Sequence, residues 1–318
     1  MNPAQGLLDL IPSGYNAIQD YEAIRTPFGD AFFRAITELG TEQFWIVLIA
    51  VIFWSFSKDL GRKLALIYLS SSYINLVLKY SFGIPRPDDP RTNKIIAEHG
   101  LFKAISLAHE STPSFPSNHA QSVLVGWAYL AQAVNKWWFW LLAFLVVFLT
   151  GLSRIYLGAH YPVDVIGGWI IGYIFIRTWL ALEKNVKNRL SGIPLSWQSA
   201  AVIVVTLILI IIWPQENASK ILGAFAGLSL GFMLEQRKIR FAVDGPAWKR
   251  ILRGVVGLII VFGVLEGGRL FTGIIRMGSY IRLSGIPLWM TYMATGFTAS
   301  ALVPVLLMAL KLADRERK

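Results

Sequence analysis

The chain has 318 residues, of which 55% are hydrophobic and 15% charged, with a formal charge of +11 and no cysteine. A soluble domain carries roughly 25% charged residues, so this chain has too few to coat a globule, and its apolar residues fall in long runs that suit a bilayer. The absence of cysteine excludes disulfides and thiolate metal sites. Because the basic residues lie between apolar runs, they read as cytoplasmic anchors rather than as a nucleic-acid surface.

Residues 1–41 carry scattered apolar positions (Ile18, Tyr21, Ile24, Phe28, Phe32, Phe33, Ile36) among charges. None of these stretches is long enough to span a bilayer, and the spacing suits helices lying in the membrane interface, with an ordinary soluble cap as the alternative. No secretory signal pattern is visible at the start. Spans are then expected near 43–57, 62–83, 119–135, 137–153, 162–182, 197–213, 220–234, 251–267 and 286–310. The segment 220–234 is rich in small residues, and its glycines suit close helix packing. Trp137, Trp138 and Trp140 open one span at an interface where tryptophans sit comfortably. The expected fold is therefore all-α, a polytopic membrane bundle of about nine transmembrane helices with an interfacial N-terminal segment. It divides into residues 1–41, a core over 42–182, and an extension of about four spans over 183–318.

Orientation follows from the basic residues. Segments 58–63, 183–190, 235–253 and the tail from Lys311 hold 16 of the 30 Lys and Arg, and all fall on one side if nine spans alternate. The first 42 residues hold six acids against two arginines and fall on the other side. The expected topology puts the N-terminus outside and the C-terminus in the cytoplasm. Loops 84–118 and 154–161 then face away from the cytoplasm.

Those loops hold three polar clusters. Ionisable groups at membrane depth are costly, so their placement is informative. The first cluster is Lys79-Tyr-Ser-Phe-Gly-Ile-Pro-Arg86-Pro87. Its two cations read either as snorkelling anchors or as a pair converging on an oxyanion. The second is Pro116-Ser117-Asn118-His119, which reads either as an N-cap beside a chance histidine or as a helix start whose free N–H groups seat a phosphate while His119 protonates a leaving group. The third is Ser153-Arg154-Ile-Tyr-Leu-Gly-Ala-His160-Tyr-Pro-Val-Asp164. His160 and Asp164 are four apart with Pro162 between them, so they share a face of a helix that starts there. They read either as a surface His–Asp pair or as a catalytic one, in which a carboxylate on one imidazole nitrogen leaves the other free to attack. Taken together, the clusters supply what phosphoryl transfer needs: a nucleophile, a proton donor, three cations and a hydroxyl.

At these residues the chain resembles the type 2 phosphatidic acid phosphatase superfamily, whose signature is K-x6-R-P, P-S-x-H and S-R-x5-H-x3-D. The resemblance covers roughly residues 40–182. It implies that Lys79, Arg86, Ser117 and Arg154 bind the phosphate and that His160 becomes a phosphohistidine. Asp164 would assist His160, and His119 would protonate the leaving oxygen and then activate water. It implies no metal and no cofactor, the three cations taking the role of a metal. Asn118 stands where the family often has Gly, a modest departure. The common family core has six spans, one more before the first found here, and the N-terminal segment is expected to replace it. The elongated layout is similar to the sphingosine-phosphate phosphatase branch.

The expected partner is a membrane lipid substrate, an isoprenoid pyrophosphate, a glycerolipid phosphate or a sphingoid phosphate, with no nucleic acid; the oligomeric state is left open. Two other activities fit parts of the sequence: a lipid phosphotransferase, and a transporter or flippase. Transport sites usually lie near the bilayer midplane, whereas these clusters sit at span ends. Vanadate-dependent haloperoxidases share the signature but are soluble. Asp88, Asp89, His99 and His109 read as a solvated loop face, with a metal site as the alternative. The stripe from Leu101 to Leu107 is expected to dip into the outer leaflet, and Asn75, one turn before Lys79, to orient it.

Overall fold

The computed structural model describes residues 5–89, 91–92, 112–278 and 285–316. Its helices are α1 (Gln5–Leu8), α2 (Ile11–Ala23), α3 (Pro27–Thr37), α4 (Glu42–Ser55), α5 (Lys58–Phe82), α6 (Asn118–Val134) and α7 (Trp137–Tyr156). They continue as α8 (Pro162–Ser191), α9 (Leu195–Ile212), α10 (Glu216–Leu234), α11 (Ala247–Gly278), α12 (Gly285–Phe297) and α13 (Val303–Ala309). A 3-10 turn, Glu38–Gly40, follows α3, and π-helical turns follow α10 (Glu235–Ile239) and α12 (Thr298–Leu302). The described residues form no strand; a single antiparallel bridge joins Phe241 to Arg315.

Each expected span coincides with a helix. Six stretches are long and apolar enough to cross a membrane: Trp137–Tyr156, Pro162–Val186, Leu195–Ile212, Glu216–Ile239, Ala247–Ile274 and Gly285–Ala309. A seventh arises if Pro27–Gly40 and Glu42–Ser55, bent by 53°, count as one. The chain is thus an integral, multi-pass membrane protein. Helix α5 has the length, but Ser71, Asn75 and Lys79 recur at four-residue intervals on one buried face and lower its apolarity. Phe144, Ile170, Ile211, Ile259 and Phe271 all remain exposed on the helices that qualify, as lipid-facing side chains do.

The chain forms two compact units. One contains Met1–Trp45 and Ile74–Leu180. Several helix ends in it are capped by the residues their sequences supply. Thr26 accepts from the Gly29 N–H at 3.0 Å ahead of Pro27, Ser117 caps α6 by accepting from the Ala120 N–H at 3.4 Å, and Asn135 closes α6 in the left-handed region. Glycines let α8 approach the turn before α6: a Cβ on Gly168 would stand 2.6 Å from the Ser117 carbonyl, and one on Gly167 would stand 2.4 Å from the Phe115 ring. The N-terminal helices pack here too, with Ile11, Tyr15 and Ile18 closing over Ile84 and Tyr161.

The other unit contains Ile46–Tyr73 and Ala181–Lys318. Its core gathers Phe53, Trp54, Phe232, Phe241, Val303 and Leu307. Helices α10 and α12 meet backbone to backbone. A Cβ on Gly223 would lie 2.4 Å from the Trp289 carbonyl oxygen, and one on Gly227 would lie 2.0 Å from that of Met293. The small-residue stripe of 220–234 therefore does what its composition predicts. Buried Arg253 ties the tail down by donating to the carbonyls of Leu312, Val243 and Asp244, and Lys58 bridges Glu235 and Glu316 at 2.8 and 2.7 Å.

Candidate active site

All seven residues singled out from the sequence lie in the first unit. Six of them are buried: Lys79, Arg86, Ser117, Arg154, His160 and Asp164. His119 is half-buried in the first turn of α6. Burying that many ionisable groups is costly unless each is partnered, and the partners define the geometry.

His160 follows the tight turn that ends α7. The Ala159 and His160 N–H groups donate back to the Arg154 carbonyl at 2.9 and 3.2 Å, which brings nucleophile candidate and cation onto one loop. Its Nδ1 lies 3.1 Å from Asp164 Oδ2, and its Nε2 lies 3.1 Å from Arg86 Nη1. A guanidinium only donates, so Nε2 is the acceptor and Nδ1 carries the proton that Asp164 accepts. That is the tautomer whose outward nitrogen has a lone pair. Burial, reinforced by the charges of Arg86, Lys79, Arg154 and His119, pushes the imidazole well below its ordinary value of 6.5. The direction of that shift favours the neutral imidazole.

Asp164, in the first turn of α8, is held from several directions. Its Oδ2 accepts from the Tyr161 N–H at 2.9 Å and from the Ser114 hydroxyl at 2.5 Å, and its carbonyl accepts from the Ser117 N–H at 3.0 Å. Ser114 Oγ also lies 3.3 Å from His160 Nδ1. The sequence reading did not include Ser114. A serine in a polar loop has no periodicity to mark it, and its only signal is its place three residues before Ser117.

The cations organise the loop around this pair. Lys79 donates to the Pro113 and Ser114 carbonyls at 2.6 and 3.0 Å, and Arg86 to the Thr112 and Ala159 carbonyls at 2.6 and 2.9 Å. Arg154 donates to the Thr37 hydroxyl at 2.8 Å, a partner 117 residues away that no motif could reveal. Asn75 donates to the Pro116 carbonyl at 3.3 Å and to Gln121 Oε1 at 2.9 Å, so it supports the turn before His119 rather than Lys79. Asn118 accepts from the Ser122 hydroxyl at 3.1 Å within α6. Of the acidic loop residues, Asp89 pairs with Arg91; His99, His109 and the stripe 101–107 lie outside the described residues.

The arrangement offers an imidazole lone pair, a carboxylate behind it, a second imidazole on a neighbouring helix and three cations nearby. That set suits in-line attack on a phosphoryl group. Comparison with known proteins points the same way. Residues 60–187 match the PAP2 superfamily, and residues 219–315 match the PAP2 superfamily phosphatase transmembrane extension. Sphingosine-1-phosphate phosphatase 1 of Rattus norvegicus is 26% identical over 260 residues, covering 72% of this chain and 57% of the relative. Phosphatidylglycerophosphatase B of Bacillus subtilis is 27% identical over 179 residues, covering 52% of this chain and 80% of the relative. The chain thus spans less than two thirds of the length of the sphingosine-1-phosphate phosphatase it matches. A crystal structure of a transmembrane PAP2-type phosphatidylglycerolphosphate phosphatase from Bacillus subtilis is 24% identical, with a TM-score of 0.45, covering 55% of this chain and 86% of that one. With the two family matches falling on the site-bearing helices and on the C-terminal helices, the chain belongs to the PAP2 superfamily.

Proposed function

We propose that this protein hydrolyses a lipid phosphate or pyrophosphate monoester through a phosphohistidine on His160, at the non-cytoplasmic face of the membrane. The observation that carries the reading is the oriented imidazole, with Nδ1 against Asp164 and Nε2 directed to Arg86. In this mechanism Nε2 attacks phosphorus, the phosphorus–oxygen bond to the lipid breaks, and His119 gives its proton to the departing oxygen. His119 then takes a proton from water, which attacks the phosphohistidine and frees inorganic phosphate. Lys79, Arg86, Arg154 and Ser117 hold the phosphoryl oxygens and offset the charge they carry in the transition state.

A lipid is the natural substrate because the site is built at the ends of α7 and α8, both long and apolar enough to span. A head group can enter there while its chain stays in the bilayer. Sphingoid phosphates and glycerolipid phosphates correspond to the names of the two relatives, and isoprenoid pyrophosphates carry the same reacting group. We assign the reacting and phosphate-binding residues to 42–182, an interfacial placement to 1–41, and nine spans to the whole, with the N-terminus outside and the C-terminus cytoplasmic.

The test is phosphate release from a panel of these lipids by the purified protein. His160→Ala is expected to lower turnover by about a thousandfold or more, as loss of a covalent nucleophile does. Wild-type activity is expected to survive a chelator. Full activity in His160→Ala, or its loss on chelation, defeats the mechanism. Transfer of phosphate to a second lipid without free phosphate would instead identify a phosphotransferase.

A further inference from the structure

The segment 25–40 lies outside the 60–187 match, yet it touches the site at two points. Thr37, the last residue of α3 and itself buried, accepts a hydrogen bond from Arg154 Nη1 at 2.8 Å. Three residues later, Gly40 sits against His119: a Cβ there would stand 2.6 Å from the imidazole Cδ2 and 3.1 Å from its Cβ. The turn Glu38–Gly40 thus abuts one candidate proton donor, and the residue before it holds one candidate phosphate ligand.

This placement is anchored rather than incidental. Two residues beyond Arg154, the Tyr156 ring meets Phe33 with centroids 4.3 Å apart, and its carbonyl accepts from Arg25 Nη2 at 2.5 Å. The Thr26 N–H donates to the Tyr156 hydroxyl at 3.4 Å, and a Cβ on Gly29 would collide with that same hydroxyl. The C-terminal turn of α7 is therefore gripped at its ring by α3 and at its carbonyl and hydroxyl by Arg25 and Thr26, which lead into α3. Rotation of that turn would displace Arg154 and Tyr156 together.

We infer that segment 25–40 is a working part of the active site, with Thr37 acting as a positioning residue that sets the plane of the Arg154 guanidinium. The inference rests on the phosphatase reading above. A guanidinium binds phosphate through a planar fork, so its orientation decides how many of its N–H groups reach the oxygens. Thr37 takes up one N–H and so restrains the plane of the guanidinium. Because it aids binding of the charge-rich trigonal phosphoryl as much as the ground state, its loss is read most directly with a phosphoryl mimic.

The experiment uses the full chain, its best lipid phosphate and orthovanadate as inhibitor. Thr37→Val removes the hydroxyl at nearly constant shape. It is expected to raise the orthovanadate inhibition constant and to lower kcat/KM, each about tenfold, the scale of one charge-assisted hydrogen bond. Thr37→Ser keeps the hydroxyl and is expected to stay within about twofold of wild type. In an Arg154→Lys background, Thr37→Val is expected to add less than about twofold, because the contact is already gone. Unchanged orthovanadate inhibition in Thr37→Val overturns the inference. So do equal losses in Thr37→Val and Thr37→Ser, or effects of Thr37→Val and Arg154→Lys that multiply in full. If His160→Ala is inactive while Thr37→Val matches wild type, this inference alone fails. Retained activity in His160→Ala defeats both readings.

Discussion

His160 is buried beside three cations, and that setting decides how the site responds to pH. Its folded pKa lies well below 6.5, so the neutral imidazole persists as pH falls through the range where an exposed histidine protonates. The acid limb of kcat/KM, which reports the free enzyme, is therefore expected below pH 6.5; a limb above that value would mean the nucleophile is not held as described. Stability follows the same sign. The unfolded chain takes up the proton first, so this contribution is intact above 6.5 and declines as pH falls toward the folded value. Ser114 gives a second expectation. Its hydroxyl touches Asp164 and His160, while its carbonyl, which accepts from Lys79, is kept in the variant, so Ser114→Ala is expected to lower kcat by about ten- to a hundredfold with KM nearly unchanged, the cost of a hydrogen bond to a charged group. Steady-state kinetics over a range of lipid phosphate checks it, and a change confined to KM would assign Ser114 to binding instead. The seven signature residues were legible because fixed spacings in three short stretches carry them. Ser114 and Thr37 were not, since their side chains meet the site through contacts made across 50 residues to Asp164 and 117 to Arg154.

At the scale of elements, helix existence was legible wherever apolar runs were long, and every expected span has its helix. What composition could not show is how a helix behaves when one of its faces serves the site. Helix α5, expected as a span over 62–83, buries Ser71, Asn75 and Lys79, and that polar face lowers the mean apolarity of its 25 residues. The π-helical turns after α10 and α12 have no sequence signature either, because they add a residue to a turn without changing its apolar pattern. The α10 and α12 contact shows the converse, a stripe of glycines read correctly as close packing. Gly227→Ala places a methyl 2.0 Å from the Met293 carbonyl oxygen, and backbone cannot rotate away as a side chain can. Its expected cost is about 1–3 kcal/mol, seen as a lower unfolding temperature in detergent. Gly263→Ala, with nothing within 4 Å of the new methyl, is the control; it is expected to be neutral or to stabilise α11 by up to about 1 kcal/mol. Equal melting of both variants would show that the helices do not meet as closely as described.

For the molecule as a whole, charge and chain path bear on different questions. The distribution of Lys and Arg speaks to orientation, whereas the partition into units could not be read from composition. Residues 46–73 group with 181–318, and the first 45 residues group with the site-bearing helices, because long-range packing rather than sequence order defines each unit. Orientation rests on a physical bias: basic segments resist translocation, and 16 of 30 Lys and Arg fall in four segments on one side of an alternating chain. The chain contains no cysteine, so single cysteines report cleanly. Arg91→Cys lies on the loop between α5 and α6, on the site side, and Lys136→Cys lies between α6 and α7, at the far end of α6; both positions are exposed. In intact cells a membrane-impermeant maleimide is expected to label Arg91→Cys at once and Lys136→Cys only after permeabilisation. The reverse pattern would put the site on the cytoplasmic face, and the lipid phosphates it could reach would then be those of the inner leaflet. Labelling of both from outside would mean that α6, whose 17 residues are few for a perpendicular crossing of about 30 Å, does not span at all.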